Sequence, residues 1–213
     1  MSNHVLQTIE FMKIVEQLCL VKRDNKMSDG RQETDADHIL KLCYWVMLAI
    51  PRLKHPVDAL KMQRLALVHD LVEAKSGDVS LSAQMGDPEL KKIKKQKEHE
   101  AIVEIKKLLP APLDEQVYEL FEEYEARQTR EARIVWCLDK LDANLQANLY
   151  NGGDVRYWAD CPNGELYYRL ALEYKTQIAD LDEEFLTSLE REIVEISRAN
   201  IRKCGIKTIS AAK

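Results

Sequence analysis

One stretch constrains this chain more than any other: Leu65-Ala66-Leu67-Val68-His69-Asp70-Leu71-Val72-Glu73. It is apolar nearly all the way round, so as a helix it has to be buried. Yet it carries His69, Asp70 and Glu73, and a bare carboxylate in such a place is costly unless something compensates it. As a helix it sets His69 and Glu73 on one face, with Asp70 three residues before Glu73. An internal His–Asp hydrogen bond at a helix crossing would satisfy the pair. So would a metal ion, since imidazole and carboxylate both suit borderline to hard cations. On this stretch alone the choice stays open.

The rest of the chain is expected to bury that stretch with helices. Glycine and proline number only 7 and 6 in 213 residues, too few for the frequent turns of a sandwich or barrel. No segment shows the strict two-residue alternation of an exposed strand. The periodicity predicts helices over His4–Leu20, from an N-cap at Thr34 or Asp35 to about Ile50, and from Asp58 to about Lys75. It predicts further helices from Asp87 and Pro88 through Leu109, over Leu113–Arg127 and over Thr129–Tyr150. Pro51 to Pro56, Ser76-Gly77-Asp78, the pair Pro110 and Pro112, and Asn151-Gly152-Gly153 read as breaks. Asn163–Ala199 reads as one long helix or two broken ones. Val21–Thr34, with Lys22, Arg23, Lys26 and Arg31, is expected to be a connecting loop, and the lysines between Lys91 and Lys97 a solvated helix face. The expected organisation is one all-α domain over residues 1–213, with a core at about 30–150 and a C-terminal helical extension at about 163–200.

Charge and cysteine usage narrow the function. The net charge of −5 gives no global attraction for nucleic acid or anionic lipid, so neither is expected as a partner. A small anionic substrate then needs a local cationic site or a metal. No stretch reaches the roughly 18 apolar residues of a membrane span, and no secretory signal pattern opens the chain. The five cysteines (Cys19, Cys43, Cys137, Cys161 and Cys204) are odd in number and form no C-x-x-C pair. They read as reduced thiols of a cytoplasmic protein.

Two further stretches carry candidate chemistry. Asp37-His38 opens the second helix, whose remainder is mostly apolar, so His38 lies near a helix start that packs into the core. Later, Ile134-Val135-Trp136-Cys137-Leu138-Asp139-Lys140-Leu141-Asp142 is another apolar helix with acidic residues in it. Asp139, Asp142 and Gln146 form one polar stripe there, which reads equally as a solvated edge.

The order His38, then His69–Asp70, then Asp139 is the H…HD…D pattern, and at this point the chain resembles the HD-domain metal-dependent phosphohydrolases. Within them it is most similar to the branch that holds the 5′-deoxynucleotidases. The resemblance is carried by Asp29-Gly30-Arg31-Gln32-Glu33-Thr34-Asp35-Ala36-Asp37-His38, Leu67–Glu73, Gly77-Asp78, Glu122-Glu123-Tyr124-Glu125 and Leu138-Asp139-Lys140-Leu141. It implies an orthogonal helix bundle with one divalent ion held by His38, His69, Asp70 and Asp139, and a Glu73 that activates or orients the attacking water. Asp78 matches a position that looks toward the sugar or phosphate. Glu122 is expected to support structure rather than chemistry. Relatives carry an Arg-Thr-Gly-Trp-like segment before the first ligand. Here the segment reads Lys22-Arg23-Asp24-Asn25-Lys26-Met27, which keeps basic residues to grip a phosphate, Arg23 or Lys22, but has no tryptophan.

The expected activity is therefore hydrolysis of a (deoxy)nucleoside 5′-monophosphate by a metal-activated water, with a small phosphate ester as partner. Two histidines and two aspartates suit Mn, Co, Fe, Ni, Zn or Mg without choosing among them. Two other readings stand beside it. One is an HD phosphohydrolase for a triphosphate, cyclic nucleotide or alarmone; a two-metal version would want more histidines, and only His99 follows the pair. The other is a non-catalytic helical binding protein that retains the metal site. No H-E-x-x-H, H-x-E with P-C-x-x-C, or phosphate-cradling glycine loop is present to support a different chemistry. Relatives often pair and the C-terminal helices offer apolar faces, so a homodimer is expected.

Overall fold

The structure is a computed structural model that describes residues 3–79, 88–150 and 174–203. The helical expectation is borne out. In chain order the elements are α1 (Asn3–Gln17), β1 (Lys22–Lys26), β2 (Gln32–Thr34), α2 (Asp35–Ala49), a 3₁₀ turn (Ile50–Arg52), α3 (Ala59–Val68), α4 (Glu73–Ser76), α5 (Pro88–Leu108), α6 (Leu113–Ala126), α7 (Arg130–Tyr150), α8 (174–181) and α9 (Glu184–Lys203). Residue 87 and the Asn151-Gly152-Gly153 break fall outside the described residues, as does the first part of the Asn163–Ala199 segment.

Three helix starts have a local cause in their capping side chains. Thr34 caps α2: its hydroxyl accepts from the Asp37 backbone N–H, and the Asp37 carboxylate accepts from the Thr34 N–H at 2.9 Å, a closed capping box. Asp58 caps α3 by accepting from Lys61 N at 2.9 Å. Thr129 accepts from Ala132 N at 3.3 Å at the start of α7.

Helix α7 is the central element and packs against α2, α3, α6, α9 and β1. The main core joins Leu42, Val46 and Ala49 of α2, Met62, Leu65 and Ala66 of α3, and Ile134, Leu138 and Leu141 of α7. Tyr174, Ile178, Leu181, Leu186 and Ile193 of α8 and α9 complete it, so the C-terminal helices spend their apolar faces inside this core. A second cluster of Leu18, Ile39, Leu71, Ile105 and Leu109 fastens α1 and α5 to the other side.

Two expectations need correction. The polar segment Val21–Thr34 is not simply a loop. Lys22–Lys26 and Gln32–Thr34 form a two-stranded antiparallel hairpin, with Lys22 opposite Thr34 and Lys26 opposite Gln32. The third helix does not run from Asp58 to Lys75. It ends at Val68, and residues 69–72 form tight turns in which Leu71 N, Glu73 N and Ala74 N bond the carbonyls three residues back. Helix α4 then ends at Gly77, whose φ of 72° is a backbone conformation that glycine adopts without strain.

Candidate metal centre

Three elements bring the chemistry together. His38 lies in the first turn of α2, His69 and Asp70 lie in the turn after α3, and Asp139 lies mid-way along α7. The side-chain atoms converge. His38 Nε2 is 3.1 Å from Asp139 Oδ1, 3.4 Å from His69 Nε2 and 3.8 Å from Asp70 Oδ2, and His69 Nε2 is 3.1 Å from Asp70 Oδ2. Ligand atoms about 2.1 Å from a common cation lie about 3.0–3.4 Å apart in octahedral or tetrahedral geometry. His38, His69 and Asp139 thus gather within a metal ion's reach, and Asp70 adjoins them through its contacts with both histidines.

The surroundings orient both imidazoles for that use. His69 Nδ1 is 2.9 Å from the Ala66 carbonyl and must donate its proton there, which leaves the Nε2 lone pair free. His38 Nδ1 is 2.8 Å from Asp142 Oδ2, the carboxylate–histidine arrangement that orients a ligand ring. Asp142 also accepts from Trp45 Nε1 at 2.9 Å. Asp139 is held by the Tyr124 hydroxyl at 2.6 Å and by Lys140 at 2.8 Å.

The electrostatics of the cluster suit a cation. His38 is fully buried, and burial and Arg23 both work against its charge. Hydrogen bonds to Asp139 and Asp142 outweigh them and raise it to about 9. Against its burial, Lys140, His38 and His69 hold Asp139 well below the usual carboxylate range. A cation on the Nε2 side would take the place of that proton. The donor set of two imidazoles and two carboxylates fits a divalent ion of the borderline to hard kind.

Beside this cluster lies a second acidic group, Asp35, Asp70 and Glu73. The guanidinium of Arg23 reaches into it from β1, with Nη1 2.8 Å from Asp70 Oδ2, 3.3 Å from Asp35 Oδ1 and 4.0 Å from Glu73 Oε2. Burial and repulsion from Asp70 push Glu73 well above the usual carboxylate range, against the pull of Lys94. Asp35 is pushed up to about 6, by burial and Asp70 against the pull of Arg23. The ordinary value of Asp78 is also raised, by burial, while Arg23 and Lys94 act in the opposite direction.

The structure sorts the remaining expectations. His69 and Glu73 do not share one helix face, because the turn at 69–72 puts them in adjacent groups with Asp70 between. Arg23 enters the site, whereas Lys22, one step along the strand, stays exposed and outside these groups. Glu122 is half exposed and lies 3.7 Å from His99. Asp142 and Lys94 are among the site's neighbours that the sequence did not mark. Asp142 is buried beside His38 rather than solvated. Lys94 folds in from the lysine-rich face of α5 and lies 3.2 Å from both Glu73 and Glu98. The polar stripe of α7 was the available signal for Asp142; nothing in the run around Lys94 sets it apart.

A family model for the HD domain matches residues 15–178 of this chain. The chain belongs to the HD-domain family. The proteins it is similar to include the 5′-deoxynucleotidase HDDC2 of Homo sapiens, 34% identical over 153 residues, which are 70% of this chain and 71% of that protein. The 5′-deoxynucleotidase HDDC2 of Xenopus laevis is 35% identical over 144 residues, 67% of this chain and 68% of that protein. Among solved structures the fold is similar to that of a protein described as a predicted metal-dependent phosphohydrolase from Magnetospirillum magnetotacticum. The TM-score is 0.73 at 20% identity, over 96% of each chain.

Proposed function

We propose that this HD-domain protein is a divalent-metal-dependent phosphoric monoester hydrolase that acts on (deoxy)nucleoside 5′-monophosphates. The observation that carries the reading is the convergence of His38 Nε2, His69 Nε2, Asp70 and Asp139 beside a buried glutamate and a part-buried guanidinium. The 5′-deoxynucleotidase relatives support the choice of substrate class. A divalent ion in this site, whether Mn, Co, Fe, Ni, Zn or Mg, supplies Lewis acidity that acidifies water and offsets phosphoryl charge. Glu73 acts as general base: its Oε2 is buried with no hydrogen-bond partner among the described residues, and the upward shift of its pKa by burial makes its carboxylate a stronger base. Arg23 grips phosphoryl oxygens with a delocalised, permanently charged fork. Asp78, just after Gly77 and within the electrostatic reach of Arg23 and Lys94, contacts the sugar or phosphate side.

Two substitutions test the roles separately. Asp70→Ala is expected to lose both metal and turnover, and retention of both refutes the ligand assignment. Glu73→Gln is expected to keep the metal and lose turnover by about 10²–10⁴-fold. Full turnover in that variant refutes its role as base.

We also propose that residues 1–213 work as one HD-type unit, cytoplasmic and homodimeric, with neither nucleic acid nor a membrane as partner. Free Cys19, Cys43 and Cys137 support a reducing compartment, and fractionation with a membrane or secreted pool would contradict it. The C-terminal helices bury apolar residues in the core, whereas α2 exposes Leu40, Tyr44, Met47 and Leu48 and α3 exposes Leu60 and Leu67, which supports pairing through these helices. Sedimentation velocity is expected to give a dimer that Tyr44→Glu dissociates; a wild-type monomer refutes it.

A further inference from the structure

We infer that Glu33 is a positioning residue that ties the phosphate-gripping Arg23 to the metal-side histidine His38, through Lys41 and Asp142. The inference rests on the site reading above and extends it to residues that touch neither metal nor substrate.

Glu33 sits on β2 and is fully buried. A carboxylate there is costly unless cations flank it. Two do. Arg23 Nε is 3.6 Å from one oxygen and Lys41 Nζ is 2.5 Å from the other. Among the described residues every ion-pair partner of those two cations belongs to the site or adjoins it. Arg23 reaches Asp70 at 2.8 Å. Lys41 reaches Asp142 at 3.2 Å, and Asp142 lies 2.8 Å from His38 Nδ1. His38 Nε2 is in turn 3.8 Å from Asp70. The chain of contacts Asp70, Arg23, Glu33, Lys41, Asp142 and His38 therefore closes into a ring in which carboxylates alternate with Arg23, Lys41 and the His38 imidazole, with the metal ligands at its seam.

The ring explains two placements. Lys41 follows His38 by one helical turn, so one face of α2 carries both the ligand and the cation that anchors its support. Glu33, His38 and Asp142 could themselves group around a cation, with ligand atoms within 4.8 Å of one another. The Lys41 ammonium fills that role and leaves the Nε2 side for the ion. Glu33 fixes the ammonium, the ammonium fixes Asp142, and Asp142 fixes the His38 tautomer. On its other side Glu33 fixes the Arg23 fork against Asp70. Buried alternating networks hold geometry because each member is costly to displace.

The test uses the full chain with Co²⁺ alone as probe, titrated against a competing chelator, and inorganic phosphate as competitive inhibitor. Positioning and simple field effects make opposite forecasts. If only net charge acted on the ion, Glu33→Gln would weaken Co²⁺ and Lys41→Met would tighten it. The ring predicts that both weaken Co²⁺, by about tenfold, the scale of lost outer support at a metal ligand. The Glu33→Gln/Lys41→Met double variant is then no weaker than the worse single one, because both act along one path. Glu33→Gln also raises the phosphate inhibition constant at least threefold. Tighter Co²⁺ in Lys41→Met, additive losses, or an unchanged phosphate constant overturns the inference. Lys41 is partly exposed, so its variant keeps the test decisive if Glu33→Gln folds poorly. A wild-type protein that binds no Co²⁺ overturns the site reading and this inference with it. Wild-type binding matched by Glu33→Gln overturns this inference alone.

Discussion

Replacing Asp142 by asparagine changes one atom and sets the carboxylate–histidine pair against the metal. Asp142 is buried and receives three donors: His38 Nδ1 at 2.8 Å and Lys41 at 3.2 Å on Oδ2, and Trp45 Nε1 at 2.9 Å on Oδ1. Asparagine has one acceptor oxygen and one donor nitrogen. If the oxygen faces Trp45, the amide nitrogen faces His38 Nδ1 and pushes the ring proton onto Nε2, where it blocks the ion. If the oxygen faces His38, the amide nitrogen opposes the Trp45 indole N–H. That leaves a part-buried donor without an acceptor, at a cost of about 1–3 kcal/mol. Loss of such outer support weakens metal binding by about 10–100-fold, or about 1.4–2.7 kcal/mol. Competition of Co²⁺ or Mn²⁺ against a chelating dye, on wild type and Asp142→Asn, measures it directly. A variant that binds within twofold of wild type refutes the reasoning that Asp142 sets the His38 tautomer.

Three further outcomes are expected. Lys94→Met removes the cation that opposes the rise of Glu73, so the Glu73 pKa climbs further and its basic form appears only at higher pH. The acidic limb of the kcat/KM profile shifts upward, and an unmoved limb contradicts Glu73 as the base. Glu183 is buried, and although burial works the other way, the Lys54 N–H, Arg130 and the His55 N–H hold it below its ordinary value. Its stabilisation is thus fully present above the unfolded-state pKa and lost as pH falls through the folded one. Glu183→Gln costs about 3 kcal/mol near pH 7 in urea unfolding, and the deficit shrinks toward pH 3; a constant deficit contradicts the assignment. Ile134→Ala, at a fully buried position beneath the site, lowers unfolding stability by about 2–5 kcal/mol, and a loss below 1 kcal/mol means the core is not packed as described.

The site was legible where polarity conflicted with an apolar setting. His69 and Asp70 stand out in a run of leucine and valine, and His38 and Asp139 stand out for the same reason. What was not legible is polarity hidden inside polar sequence. Strand β1 is Lys-Arg-Asp-Asn-Lys, and its alternation separates two kinds of polar residue rather than apolar from polar. One face addresses the site through Arg23, so no hydrophobic period marks it. Lys94 has the same character, since only tertiary packing against Glu73 separates it from its solvated neighbours. The break at residues 69–72 escaped notice because it contains neither glycine nor proline. Leu71 and Val72 hold it by packing into two separate clusters.

The most direct measurement is phosphate release by protein stripped of metal and then given single divalent ions. The panel is ribo- and deoxyribonucleoside mono- and triphosphates. The account predicts no release without an added ion, and release from deoxynucleoside 5′-monophosphates but little from triphosphates once Mn²⁺ or Co²⁺ is restored. Full activity in the stripped protein, or no release from any monophosphate while metal is bound, would contradict it.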